Sequence, residues 1–338
     1  MIGVGIVGCG YWGPNLARNF GALEACELRA LCDLDPERVA RLQRRYPGAR
    51  ATRDFGELLR DPGVDAVAIC TPVHTHFPLA SEALRAGKHV LVEKPLTHSV
   101  ETAELLVELA RRQGRVLQVD HTFVYSPAVQ KLKRYVETGE LGDLLYIDSV
   151  RINLGLFQPD VNVLWDLAAH DLSIIAYLVE REPLWVSAIG AVHFGALESQ
   201  AYVTLMFEES LLAHLHVNWL APVKLRSTVI GGTQRMIVYD DLEPSEKIRI
   251  YEKGVTLASD PGSRARALVD YRLGDMLVPH IDKGEPLEAV CRAFVRAIEG
   301  GAPPLTDGRA GLGVVRILEA AQQSMRKGGE RITLGSAR

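Results

Sequence analysis

Across residues 1–121 short apolar runs alternate with amphipathic stretches. Ile2–Val7, Leu28–Asp33, Val64–Cys70, His89–Val92 and Val116–Val119 are nearly continuously apolar, as strands buried on both faces of a parallel sheet are. Between them Pro14–Leu23, Pro36–Tyr46, Asp54–Arg60, Phe77–Ala86 and Ser99–Gln113 read as helices. In the last of these Leu105, Leu106 and Leu109 recur at helical spacing, and Pro47-Gly48 and Gly87 close two of the others. Strand and helix in strict alternation predict a doubly wound parallel sheet with right-handed crossovers.

The pattern changes after Asp120. Ser126-Pro127 opens a helix to Thr138, stopped at Gly139–Gly142. Strand candidates then dominate: Leu145–Asn153, Trp185–Phe194, Ala201–Phe207, Leu211–Trp219, Leu225–Ile230 and Arg235–Tyr239, with one helix at Leu167–Leu178. Short turns such as Glu208-Glu209-Ser210 and Gly231-Gly232 imply a large, mostly antiparallel sheet. Residues 250–282 are polar and patternless and read as a loop. Helices Pro286–Glu299 and Ala310–Lys327, separated by Gly300-Gly301-Ala302-Pro303-Pro304, close the chain. The expected class is α/β, and 338 residues are too many for one ordinary core. Two domains are expected, 1–121 and 122–338.

Composition narrows the function classes. Hydrophobic residues at 47% and charged residues at 24% are those of a soluble globular protein. A net charge of −4 gives no electrostatic ground for binding nucleic acid or an anionic membrane. No apolar run approaches the ~20 residues of a membrane span. The chain opens on a core strand, so no secretory leader is expected and a cytoplasmic setting is. Cys9, Cys26, Cys32, Cys70 and Cys291 form no C-x-x-C pair and read as small apolar residues of a reduced protein.

The first strand runs into Gly8-Cys9-Gly10-Tyr11-Trp12-Gly13, followed by a helix, the context that a dinucleotide-binding G-x-G-x-x-G requires. Gly8 permits the tight turn, Gly10 lets a pyrophosphate approach the backbone, and Gly13 lets the helix pack on the strand. The second strand ends in Asp33, and 33 − 13 = 20 residues is the separation of the carboxylate that holds the adenosine ribose. Asp33 repels a 2′-phosphate, so NAD is expected over NADP. Its plain structural alternative is a helix cap, a role Asp35 already fills.

Three more stretches carry candidate chemistry. Thr71-Pro72-Val73-His74-Thr75-His76 and Glu93-Lys94-Pro95 follow buried strands, at the carboxyl edge where open α/β sheets bind ligands. Lys94 there is a donor for a substrate hydroxyl, or a surface lysine paired with Glu93. In Trp165–Asp171, Asp166 and His170 are i and i+4, so on a helix they share a face. A carboxylate orienting an imidazole base is what alcohol oxidation needs, since a proton leaves as the hydride does. A helix cap followed by a structural histidine is the alternative. His74 with His76 and His214 with His216 lack a third ligand of matching spacing, so no metal is expected.

The glycine turn, the T-P-x-x-x-H run ending at His76, Glu93-Lys94-Pro95, and the D-x-x-x-H of Asp166 and His170 occur in order along nearly the whole chain. Together they resemble the glucose–fructose oxidoreductase, inositol dehydrogenase and rhizopine-catabolism (Gfo/Idh/MocA) family. The resemblance implies an N-terminal Rossmann domain holding NAD, and a C-terminal α/β domain whose open sheet usually serves oligomerisation. It places the cofactor against Gly8, Gly10, Tyr11, Trp12, Gly13 and Asp33, and against Thr71, Pro72, His76, Glu93 and Lys94. It implies that Lys94 positions the reacting hydroxyl of a sugar or cyclitol, that His170 is the base and that Asp166 assists. Many members carry a glycine-rich run before the D-x-x-x-H, where this chain has Gln158–Leu164. With Arg151-Ile152-Asn153-Leu154-Gly155, that departure resembles a nucleotide-sugar branch, so the C3 hydroxyl of a UDP-N-acetylhexosamine is the expected substrate. Arg151 and Asn153 join Lys94, Asp166 and His170 as expected substrate contacts, with Lys131 and Arg134 as other candidates for the diphosphate. The alternatives are an inositol or free-sugar dehydrogenase, a glycosidase that uses NAD transiently, and a non-catalytic NAD-binding regulator. The retained Lys94, Asp166 and His170 speak against the last.

Overall fold

The structure is a computed structural model and describes residues 1–155, 157–158, 160–252, 254–257, 269–272 and 274–335. The chain forms two compact units, Met1–Ser126 with Gly284–Glu319, and Pro127–Lys283 with Ala320–Arg338.

In the first unit the strands are β1 (Ile2–Val7), β2 (Cys26–Cys32), β3 (Arg50–Thr52), β4 (Ala66–Ile69), β5 (His89–Glu93) and β6 (Leu117–Asp120). They lie side by side in the order β3-β2-β1-β4-β5-β6, every pairing parallel. Helices α1 (Gly13–Ala22), α2 (Pro36–Gln43), α3 (Phe55–Arg60), α4 (His76–Arg85) and α5 (Val100–Gln113) make the connections. Every residue of β1, β4 and β6 is buried, which is why those runs show no alternation. Strand β3 escaped the sequence pattern because Arg-Ala-Thr at a sheet edge carries no apolar signal. The helices start where their caps dictate: Asp35 accepts the Glu37 and Arg38 amides, and Ser99 accepts that of Thr102.

The second unit holds helices α6 (Pro127–Glu137) and α7 (Ala169–Val179). Its main strands are β7 (Leu144–Leu154), β8 (Trp185–Ala191), β9 (Gln200–Met206), β10 (Leu212–Asn218), β11 (Leu220–Gly232), β12 (Met236–Asp240) and β13 (Ile248–Tyr251). A hairpin of β14 (Gly254–Leu257) and β15 (Val269–Arg272) stands apart, and β16 (Met276–Leu277) extends the edge. The stretch 250–282 therefore contains strand as well as loop, and part of it lies outside the described residues. With β17 (Ile332–Thr333) the sheet has nine strands, and only β7 and β10 pair in parallel. Along β9 and β10 buried residues alternate with partly exposed ones, so one face is covered and the other open. Ile189, Tyr202 and Leu225 are among its exposed apolar residues.

Helix α8 (Pro286–Ile298) lies in the first unit by its contacts. Its buried face, Leu287, Val290, Cys291 and Phe294, explains the return: Phe294 meets Phe20 of α1 edge-on at 6.2 Å, and Gln118 of β6 donates to the Val290 carbonyl. The contact-based units first divide at Ser126/Pro127, and helix α9 (Gly308–Arg326) is split between them. Among the described residues, no helix is long and apolar enough to cross a membrane.

One ionic contact anchors the second unit's covered face. Arg151 of β7 grips Asp171 of α7 through Nε to Oδ2 at 2.6 Å and Nη2 to Oδ1 at 3.2 Å, both side chains 4% exposed. The Ser149 hydroxyl donates to the same carboxylate at 2.8 Å. Breaking such a pair strands a buried charge, so Asp171→Ala should cost about 3–5 kcal/mol of unfolding free energy. Arg151→Leu combined with Asp171→Leu should recover much of that loss, and urea unfolding of the three proteins measures the difference.

Candidate active site

Parallel strands share one carboxyl edge, and the sequence-predicted residues of the first unit collect along it. The loop from Gly8 to Trp12 follows β1, Asp33 follows β2, Thr71 and Pro72 follow β4, Lys94 follows β5 and His121 follows β6. The strand order reverses between β1 and β4, where such sheets open a crevice for ligands.

The three glycines differ in what binds them to their identity. Gly8 sits at φ 91°, and a Cβ there would lie 2.8 Å from the Cys70 carbonyl. At Gly13 a Cβ would fall 2.0 Å from the Gly8 carbonyl oxygen, an impossible approach. At Gly10 it would meet only Arg38 Nη1, at 3.6 Å. The fold thus requires glycine at both ends of the turn and leaves room at its middle. Helix α1 begins there with no side-chain cap and no acidic residue in its first turn. Its end keeps backbone donors and a positive dipole for an anion. These features fit a dinucleotide pyrophosphate. Tyr11 and Trp12, exposed and edge-on to each other at 5.4 Å, flank the turn.

Asp33 accepts the Cys9 amide at 2.6 Å through Oδ2 and the Asp35 amide at 2.9 Å through Oδ1. It therefore fixes the glycine turn as well as presenting a carboxylate, whose oxygens keep further lone pairs for ribose hydroxyls. Burial, reinforced by this carboxylate, pushes the Cys9 thiol up to about 12, so it is a packed thiol and no nucleophile. His76 is buried, its Nδ1 2.9 Å from the Pro95 carbonyl and its Nε2 2.8 Å from that of Thr71. It braces the loops after β4 and β5 against each other. Thr75 donates to the Thr71 hydroxyl at 2.6 Å, tightening the same loop.

Lys94 is half-buried, joined to Pro95 by a cis peptide, and its amide donates to Glu93 Oε2 at 3.2 Å. Two residues that the sequence reading passed over lie beside it. Asp120 ends β6 directly opposite Glu93, and His121 follows; both are buried. Burial, with the Lys94 charge adding to it, pushes the His121 imidazole down to about 3, so it is neutral at pH 7. Extending the carboxyl-edge rule to β6 would have found both.

In the second unit Asp166 lies in a π-helical turn, Leu164–Ala168, that runs straight into α7, whose second residue is His170. The expected helix thus begins one turn early and is over-wide at the Asp166 end, a feature frequent at functional sites. The Trp219 indole donates to Asp166 Oδ2 at 3.1 Å, a partner that no sequence spacing announced. Trp219 is buried beneath Phe157, at 5.4 Å between rings. Ser173 donates to the His170 carbonyl at 2.7 Å. Arg151 is committed to Asp171, while Asn153, two residues on, is half-exposed. Lys131 donates to the His280 carbonyl at 2.7 Å, and Arg134 is exposed.

A parallel 3-2-1-4-5-6 sheet with a glycine turn at its switch point defines a dinucleotide-binding Rossmann domain. Residues 2–121 match the model of the oxidoreductase family with an NAD-binding Rossmann fold, and residues 129–238 match the GFO/IDH/MocA C-terminal domain. The chain belongs to the GFO/IDH/MocA family and is an NAD-binding oxidoreductase. It is 31% identical to the UDP-N-acetylglucosamine 3-dehydrogenase of Acidithiobacillus ferrooxidans, over 94% of this chain and 95% of that one. A solved structure of that enzyme superposes with a TM-score of 0.78, covering 96% of this chain and 97% of that one at 30% identity. The myo-inositol 2-dehydrogenase of Thermotoga maritima is 24% identical over 95% of this chain and 96% of that one. GenD2 from gentamicin A biosynthesis, solved with NAD, superposes with a TM-score of 0.84 at 25% identity, covering 99% and 97% of the two chains.

The unequal glycines give a separable outcome. Gly10→Ala should leave thermal stability nearly unchanged while weakening NAD binding at least tenfold by calorimetry. Gly13→Ala should instead lower stability by several kcal/mol, on the scale of a severe steric defect.

Proposed function

We propose that this protein oxidises the C3 hydroxyl of a UDP-N-acetylhexosamine, UDP-N-acetylglucosamine first, to the 3-keto sugar. The observation that carries the substrate is the near-full-length identity with a UDP-N-acetylglucosamine 3-dehydrogenase. Lys94, Asp166 and His170 support the chemistry, because a regulator that only senses NAD has no use for them.

Bound NAD supplies the acceptor for the hydride that leaves the ring carbon. The rest falls to the chain. Lys94 donates a hydrogen bond to the reacting oxygen and favours the alkoxide character that develops there. His170 takes the hydroxyl proton as general base, and Asp166, steadied by the Trp219 indole, stabilises the imidazolium so formed. Asp33 accepts the adenosine ribose hydroxyls and repels a 2′-phosphate. With Arg151 engaged by Asp171, the diphosphate falls to donors such as Asn153, Lys131 and Arg134. The open face of the nine-stranded sheet, with Ile189, Tyr202 and Leu225 exposed, is the surface for self-association into a homo-oligomer.

A panel of UDP-sugars, dTDP-sugars, free hexoses and inositols, followed by NADH formation and product mass, tests the substrate. UDP-N-acetylglucosamine should lose two hydrogens with one NADH formed. Efficient oxidation of myo-inositol or glucose with every nucleotide sugar ignored would refute the assignment. Turnover with no net NADH would indicate the glycosidase cycle instead.

Lys94→Ala and His170→Ala should each lower kcat by roughly 10²-fold or more with little change in NAD affinity. Oxidation should slow as pH falls and His170 takes up a proton, and His170→Ala should lose that limb of the profile. Asp33→Ser should narrow the preference for NAD over NADP by about one to a few kcal/mol, read from the two binding constants.

A further inference from the structure

Glu93 and Asp120 occupy paired positions at the ends of adjacent parallel strands, so their side chains leave the sheet on the same face. Both are buried, 7% and 2% exposed. Glu93 Oε2 accepts the Lys94 amide, and Asp120 Oδ1 accepts the Thr122 hydroxyl at 2.6 Å. The remaining oxygens, Glu93 Oε1 and Asp120 Oδ2, are buried and meet no donor among the described residues. The two carboxyls are nevertheless within hydrogen-bonding reach of each other and both feel the charge of Lys94.

Two carboxylates this close and this dry do not both ionise near neutrality, and a shared proton converts their repulsion into a hydrogen bond. We propose that Glu93 and Asp120 hold one proton between them, so that the pair presents a single negative charge to Lys94, and that Asp120 is a positioning residue for that lysine. Two negative charges would leave the pair a costly buried repulsion, and one shared proton removes it while keeping a single negative charge beside Lys94.

The neighbourhood is consistent with that count. Burial, then Asp120, pushes Glu93 well above the usual carboxylate range, and burial raises Asp120. Cys70 at the end of β4 and Cys291 on α8 also face the pair, and burial holds both thiols neutral. Tyr125 is neutral for the same reason, and so is His121. Among the described residues, Lys94 is the basic side chain whose charge both carboxyls feel.

That Lys94 needs a fixed counter-charge rests on its role as hydroxyl donor; that the pair holds one proton does not. Infrared spectra of the full-length protein at pH 7 therefore decide the second point without substrate. A protonated-carboxyl band should be present in the wild type and absent from both Asp120→Asn and Glu93→Gln, each of which leaves one ionised carboxylate. Carbon-13 labelling of aspartate should shift the wild-type band if the proton is shared, which keeps the test alive if a variant fails to fold. No such band in the wild type, or a band that persists in both variants, overturns the shared proton.

The charge on Lys94 is read by acylation with a small amine reagent across pH, the modified peptide quantified by mass. Each single variant should keep the wild-type midpoint, because one negative charge remains. The double variant should lower it by about one pH unit or more. Singles that shift as far as the double, or a double that does not shift, overturn the action on Lys94.

Discussion

Six parallel strands must end on one edge, and the first unit is built from that constraint outward. Every loop leaving the edge carries backbone groups with no strand partner, and these loops hold one another. Asp33 ties the turn after β1 to the end of β2 through the Cys9 amide. His76 ties the loop after β4 to the one after β5. Glu93 and Asp120 link the ends of β5 and β6. Polar side chains, as well as apolar packing, stitch this carboxyl edge from strand to strand.

Much of this was legible in the chain itself. Buried parallel strands are unbroken apolar runs, so β1 and β4 announced themselves, and the glycine turn gave the edge its chemistry. What stayed hidden was whatever depends on contacts distant in sequence. Trp219 reaches Asp166 from the bend between β10 and β11, more than fifty positions away, and nothing local to either residue marks the pairing. Helix α8 returns to the first unit because its apolar face fits Phe20, a match that sequence order conceals. Arg151 read as a substrate contact on a strand end, yet the inward face of β7 gave it to Asp171. The sequence supplies residue type and period; it does not say which buried neighbour arrives from elsewhere.

The two units handle buried charge in opposite ways. Arg151 and Asp171 are complementary, bidentate and steadied by Ser149, so their desolvation is offset by a well-aligned pair and they serve as structure. Glu93 and Asp120 are alike in sign and offset their burial only by holding a proton or meeting a cation. That is an arrangement suited to a site, because its charge state depends on what sits nearby.

The π-helical turn at Leu164–Ala168 also sets a phase. A π turn is an α-helix carrying one residue too many, and each residue advances an α-helix by about 100°. Asp166 lies within the excess and His170 just beyond it, so their relative bearing depends on that extra residue being accommodated where it is. The turn takes up that residue, so the helix beyond it keeps its phase, whereas losing a residue from regular α-helix would turn every later side chain by about 100°. Such a loss within α7 before His170 would move His170 and Asp171 together, the second out of the grip of Arg151. The irregular turn thus absorbs an extra residue while α7 keeps Asp171 in register with Arg151.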